Sequence, residues 1–225
     1  MTTTGRTLID FYDALFAHYG PQHWWPARTR EEVIIGAILT QNTAWRNVER
    51  AIDNLRRSGY LDFARLHAVE PAHLAELVRP SGTYRVKAKR LKAFVGWLFA
   101  RFDGDLDAMF ATPMHRLREA LLEVTGVGRE TADAILLYAG HMPGFVVDTY
   151  THRVLHRHGL IDVDADYDEI KALFEGHLPA EVDLFNEYHA LLVAVGKTHC
   201  RPKARCAGCP LECFDHQVES VDDLP

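Results

Sequence analysis

The chain has 225 residues, 48% of them hydrophobic, and a formal net charge of −6 at pH 7. This length can bury the core of one large or two small domains. No apolar run reaches the roughly 18 residues of a membrane span, and the N-terminus lacks the basic and apolar regions of a signal peptide. We therefore expect a soluble, cytoplasmic protein with no membrane association.

The net charge does not favour nucleic-acid binding, but phosphate contact depends on where the charges lie. The stretch 84–101 has six basic residues and no acidic one, and the stretch 197–206 has four basic residues and no acidic one. A basic face is therefore compatible with the negative total.

Hydrophobic periodicity predicts helices along the whole chain, with no two-residue alternation of strand length. We therefore expect an all-α protein of many short helices joined by brief links. The predicted helices cover residues 7–19, 29–43, 45–58, 63–69, 72–78, 85–102, 114–124, a segment from 129, a segment from 149 to 158, 167–178 and 184–195.

Aromatic and amide side chains stand out near the N-terminus. Trp24 and Trp25 precede Pro26 in a predicted loop. By themselves they favour anchoring on the core, with base stacking as the alternative. Gln41 and Trp45 follow an apolar helix, and a polar amide with a Trp at this point could reach into a duplex.

The central stretch, residues 121–154, predicts a helix, a turn through Gly126, Val127 and Gly128, and a second helix beginning near Arg129. Glycine at both turn positions permits restricted backbone conformations. Amides at a helix N-terminus favour an anion such as phosphate. Asp148 follows twenty residues later, after an apolar run, so we expect a catalytic carboxylate beside a phosphate-binding hairpin.

The four cysteines lie within fourteen residues. Disulfides are not expected without a secretory signal, so a metal site is the better interpretation. Four thiolates suit either tetrahedral zinc or an iron–sulfur cluster, and their spacing does not decide between them. A closed site of this kind would present Lys203 and its basic neighbours towards phosphate. The predicted ligands are Cys200, Cys206, Cys209 and Cys213.

Together these features resemble the helix-hairpin-helix DNA glycosylases of the endonuclease III superfamily. The matching parts are LTQNT at 39–43, GTYRVKAKRLK at 82–92, VTGVGRETA at 124–132, VVDTYTHRV at 146–154 and the four-Cys loop. The resemblance implies two all-α domains with a substrate cleft between them. By this resemblance we expect residues 25–144 to form a six-helix domain with the hairpin. We expect residues 1–24 and 145–225 to form the second domain, with Asp148 and a C-terminal loop that holds a [4Fe-4S] cluster, which the resemblance favours over zinc.

Two departures from the family pattern bear on the activity. Bifunctional members carry a lysine after GVGR that attacks the sugar, whereas this chain has Glu130, which cannot form an imine. The cysteine spacing is shorter than is usual in the family, although the number of ligands is kept.

The pattern GVGRETADAILLYA at 126–139, with HWWP at 23–26 and LTQNTAW at 39–45, resembles the 3-methyladenine DNA glycosylase III branch more closely. In that branch an aromatic residue at the position of Trp45 forms the base pocket with a segment equivalent to Trp24, Trp25 and Pro26. The resemblance therefore replaces core anchoring with a pocket role for both indoles. Electron-rich rings attract an alkylated purine, which is cationic.

We therefore predict a monofunctional DNA N-glycosylase of base excision repair that leaves an abasic site. Its partner is double-stranded DNA with a damaged base or an abasic site, and we expect a monomer, nucleoid-associated in a bacterium. Gln41 or a neighbour fills the gap left by the flipped base, and Asp148 stabilises charge on the sugar and activates water. Glu130 is a second acid–base group or a solvated residue of the first turn. The predicted phosphate contacts are Gly126, Val127, Gly128, Arg129, Lys87 and Lys203.

Three alternatives remain open. The enzyme could act on oxidised pyrimidines, with weak strand nicking by another amine such as Lys197. The chain could be a non-catalytic binder of distorted DNA. It could also be a zinc-stabilised interaction protein with no role on DNA.

Overall fold

The computed structural model describes residues 2–217, and all regular structure in this range is helical. The expected all-α class is therefore confirmed. None of the helices in this range is long and apolar enough to cross a membrane. The α-helices are α1 (Thr3–Tyr19), α2 (Arg30–Leu39), α3 (Trp45–Arg57), α4 (Phe63–Ala68), α5 (Pro71–Leu77), α6 (Tyr84–Phe102), α7 (Leu106–Phe110), α8 (Met114–Leu122), α9 (Arg129–Ala134), α10 (Thr149–Arg157), α11 (Tyr167–His177) and α12 (Val182–Thr198). A 3-10 turn covers Arg79–Ser81, and α9 continues into a π-helical segment, Ile135–Ala139.

The chain divides into two compact units. The first unit contains the residues up to Trp25 and those from Pro143 onward, with α1, α10, α11, α12 and the four-Cys loop. Its core is aromatic: the rings of Phe145 and Phe174 stack at 3.7 Å, and the Tyr188 hydroxyl donates to the carbonyl of Leu8 at 2.7 Å. This hydrogen bond ties α12 to α1 inside the core.

The second unit, Pro26–Met142, is built around α2. Every residue from Val33 to Leu39 is buried, and α2 packs against α3, α6, α9 and the π-helical segment. A helix that is apolar on all sides belongs at the centre of a core. Thr29 caps its start by accepting from the amide of Glu32.

The helix α2 ends at Leu39, four residues before the predicted end at 43. The Thr40 hydroxyl donates to the carbonyl of Gly36 at 2.6 Å, and Asn42 adopts a left-handed conformation with φ of 53°. Gln41 and Asn42 therefore lie in a loop. A helix that the sequence did not predict, α7, begins where the Asp105 carboxylate accepts from the amides of Asp107 and Ala108. With it, the unit has eight α-helices, compared with the six expected from the resemblance.

Candidate functional site

The turn between α8 and α9 places its two glycines in different environments. Gly126 has φ of +89°, and a Cβ there would overlap the side chain of Arg90. Gly128 has an ordinary extended conformation with φ of −93°, is exposed, and would have no atom within 4 Å of a Cβ. The expectation of a restricted backbone at both glycines is therefore wrong for Gly128. What Gly128 provides is an open surface at the start of α9.

An ion pair joins the two helices of this hairpin. The Nε of Arg118 on α8 lies 2.9 Å from Oδ1 of Asp133 on α9, and its Nη2 lies 3.1 Å from Oδ2. The Asp133 side chain is fully buried, whereas 22% of the Arg118 side chain is exposed. A bidentate pair with a buried carboxylate fixes the relative orientation of the two helices.

Gln41 is bound to the hairpin. Its Nε2 donates to the Gly126 carbonyl at 3.0 Å and to the Thr131 hydroxyl at 2.9 Å, while Arg90 donates to its Oε1. The role of Gln41 in filling a gap in the duplex stays a prediction. The adjacent residue Asn42 is exposed and has a left-handed backbone conformation.

Lys87 is not a phosphate contact in this structure, so this prediction is wrong. Its side chain is 1% exposed, and its ammonium donates to the carbonyls of Leu39, at 2.8 Å, and Ser81. Burial, with the nearby charge of Arg90, lowers the pKa of Lys87 to about 8. Lys87 therefore fastens the end of α2 to α6 from inside the core.

The remaining predicted phosphate contacts differ in accessibility. Val127 is buried and its amide already donates to the Val124 carbonyl at 3.0 Å, so this amide does not face a phosphate. Arg129, Glu130 and Lys203 are exposed. Arg129 and Glu130 begin α9, where Gly128, the N-cap residue, has no side chain to cap the first amides.

Asp148 is the N-cap of α10, and its two carboxylate oxygens have different neighbours. Oδ1 accepts from the amide of Thr151 at 2.8 Å and from its hydroxyl at 2.9 Å. Oδ2 lies 3.6 Å from Nε2 of His189, and only 12% of the Asp148 side chain is exposed. Burial would raise the pKa of Asp148, but His189 and Thr151 together lower it below its usual value. The carboxylate is therefore held in its ionised form.

The predicted pocket residues lie in both units. Trp24 and Trp25, in the first unit, are half-buried with their rings edge to face at 5.0 Å. Pro26 is exposed, and Trp45 begins α3 in the second unit, where its Nε1 donates to Glu49 at 3.0 Å. That these rings receive a base stays a prediction.

The four-Cys loop follows α12 directly. Cys200, Cys206 and Cys209 line one cavity, Cys213 is exposed, and Arg157 donates to the Cys200 sulfur at 3.3 Å. Burial, together with the charges of Cys200 and Cys206, raises the pKa of the Cys209 thiol. Within residues 2–217, no three His, Cys, Asp or Glu side chains are placed to hold a single metal ion.

Four thiols are the donor set that both a tetrahedral zinc site and an iron–sulfur cluster use, and three of the four line one cavity here.

Four side-chain contacts escaped the sequence analysis: those of Arg90 and Thr131 with Gln41, of Arg118 with Asp133, and of His189 with Asp148. Only His189 carried a local signal, because a histidine within the apolar run of α12 needs a polar partner when buried.

Comparison with known proteins agrees with this geometry. Residues 35–180 match the HhH-GPD superfamily of base excision DNA repair proteins. A candidate DNA repair glycosylase of Methanocaldococcus jannaschii is 48% identical over 209 residues, which are 92% of this chain and 94% of that protein.

Two solved structures share the fold. The 3-methyladenine DNA glycosylase of H. pylori, bound to 1,N6-ethenoadenine, superposes with a TM-score of 0.75 and is 29% identical, covering 87% of this chain and 98% of its own. An endonuclease III trapped as a covalent DNA intermediate superposes with a TM-score of 0.79 at 23% identity, covering 94% of both chains. The chain belongs to the HhH-GPD superfamily of base excision DNA repair proteins, as a DNA glycosylase.

Proposed function

We propose that this protein is a monofunctional DNA N-glycosylase that removes an alkylated purine and leaves an abasic site in an intact strand. The observation that carries the proposal is that Asp148 is ionised and mostly buried, while the position of the family's nucleophilic lysine holds an exposed Glu130. Without an amine at this position, the sugar is not attacked there by the protein, and water must complete the reaction.

The chemistry follows from the charge that develops in the reaction. As the glycosidic bond breaks, the base leaves with the bonding electron pair and the sugar becomes positively charged. The Asp148 carboxylate stabilises this charge and takes a proton from the water that adds to the sugar. Because Oδ1 is occupied by Thr151, Oδ2 is the oxygen that performs these steps.

An alkylated purine is the base that the chain's own residues favour. Such a base is cationic, and the half-buried rings of Trp24 and Trp25 offer electron-rich faces. The similarity to the 3-methyladenine DNA glycosylase of H. pylori supports the same substrate class.

DNA binding in this proposal uses the hairpin. The exposed Gly128 lets a phosphate approach the first amides of α9, where the helix dipole favours an anion. Arg129 and Lys203 add exposed positive charge. We further propose that the four cysteines hold a [4Fe-4S] cluster, which would tie the C-terminal loop into a rigid support for Lys203.

The test is base release from methylated duplex DNA, analysed on gels with and without hot alkali. We expect release of methylated purine, with strand breaks only after alkali, and no release by Asp148→Asn, which should still bind abasic-site DNA. Breaks without alkali would contradict the monofunctional assignment and direct attention to an amine such as Lys197. Binding without release from any damaged duplex would identify a non-catalytic binder.

A further inference from the structure

His189 occupies an unusual position for a histidine. It lies on α12 within an apolar run, is 5% exposed, and its Nε2 is 3.6 Å from Oδ2 of Asp148. The cost of burying an imidazole is offset only when it has polar partners. The contact joins the interior of one helix to the N-cap of another, because α10 and α12 pack together.

Several charged and titratable groups on α12 and on the helices packed against it, α1 and α10, bind elsewhere. His189 and Thr151 are the residues that lower the pKa of Asp148. Arg153 donates to the carbonyls of Cys200 and Gly196, and Tyr188 donates to the carbonyl of Leu8. Glu187 accepts from the amide of Gln22, Tyr12 packs edge-on against Tyr188, and Tyr19 bonds with Thr198.

We infer that His189 is the positioning residue of Asp148, with Nε2 directing and polarising Oδ2 while Thr151 holds Oδ1. The inference deepens the proposed function, on which it rests for the identity of the reaction. Oδ2 is the oxygen left for the sugar and the water, so its direction and its charge both matter to the chemistry. A protonated Asp148 could neither stabilise the sugar cation nor accept a proton from water.

The experiment compares pH profiles of base release under single-turnover conditions. His189→Phe keeps a ring of similar size without a nitrogen, and His189→Gln restores a neutral donor. Without His189, burial raises the pKa of Asp148. The acid limb of the His189→Phe profile should therefore move at least about one pH unit upward, with the rate recovering towards wild type above it. The acid limb of the His189→Gln profile should lie between those of wild type and His189→Phe. A rate lowered by one constant factor at every pH, or unchanged, would overturn the inference.

A second measurement does not depend on activity. Because the folded pKa of Asp148 lies below its unfolded value, its ionised form stabilises the fold above about pH 4 and loses this effect as pH falls through the folded pKa. Asp148→Asn should therefore lower the Tm near neutral pH, and by less when His189 is already Phe. Additive Tm shifts would refute the coupling.

The two measurements separate the two hypotheses. If the wild-type protein releases no base but the Tm shifts are not additive, the proposed function fails and the coupling of His189 to Asp148 stands. If base is released and the pH profile of His189→Phe equals that of wild type, the proposed function stands and the positioning role fails.

Discussion

At the scale of single residues, the hairpin shows how two glycines of one motif can have different tasks. Gly126 is required by its left-handed backbone and by the side chain of Arg90 packed against it. Neither reason requires glycine at position 128, because the backbone there is ordinary and the space around the Cα is open. An open, exposed glycine at a helix start is suited to a ligand that approaches the backbone.

The two glycines should therefore respond differently to alanine. We expect Gly126→Ala to destabilise the fold by about 1–3 kcal/mol, because it forces a Cβ into a left-handed conformation and against Arg90. Gly128→Ala should leave stability within about 0.5 kcal/mol of wild type and weaken DNA binding about tenfold, the loss of one charge-assisted hydrogen bond. Urea unfolding and fluorescence anisotropy with abasic-site duplex measure the two effects. Equal DNA binding by wild type and Gly128→Ala would contradict the phosphate role of this surface.

At the scale of elements, the two helices of the hairpin are too short to be stable alone, and an ion pair holds them together. The helices α8 and α9 have nine and six residues, and isolated helices of this size are not stable in water. The Arg118–Asp133 pair joins them across the turn, and Gln41 joins the turn to the end of α2. Lys87 in turn fixes the end of α2 to α6. A chain of polar contacts thus runs from the core to the hairpin.

Arg118→Met should be strongly destabilising, because it removes the guanidinium that binds both oxygens of the fully buried Asp133 carboxylate. Breaking a buried pair from one side costs about 3–5 kcal/mol. The double variant Arg118→Met with Asp133→Asn should recover part of this loss, since the buried charge is then gone. Urea unfolding midpoints of the two variants check this. A single variant as stable as wild type would show that the pair does not stabilise the hairpin.

At the scale of the whole molecule, a formal net charge of −6 coexists with a fold whose relatives act on DNA. Exposed basic residues lie in short stretches of the chain, including Arg201, Lys203 and Arg205 in the four-Cys loop. Basic side chains that contact phosphate release counterions from DNA regardless of the protein's total charge, so DNA binding should still weaken as the salt concentration rises.

The dependence of DNA affinity on salt concentration should reveal which basic side chains contact phosphate. We expect the slope of log K against log salt to decrease in magnitude by about 0.9 for Lys203→Gln. Lys87→Met should leave the slope unchanged, because the ammonium of Lys87 is buried and bonded to carbonyls. A changed slope for Lys87→Met would contradict its structural role.

The sequence by itself determined the helical class, most helix positions and the order of motifs that identifies the superfamily. These features depend on contacts between residues close in the chain, where the 3.6-residue period, the caps and the glycine turn can be recognised. The short helix α7 was missed because five residues give too little periodicity.

Only the tertiary structure decided which side chains are accessible and which are partners. A lysine is the residue type expected at an exposed phosphate contact, yet Lys87 is buried in the core and donates to two carbonyls. His189 meets Asp148, and Arg118 meets Asp133, because helices pack together, and no local pattern identifies the partner in either contact. Local sequence specifies the conformation of a segment, whereas burial and pairing depend on residues distant in the chain.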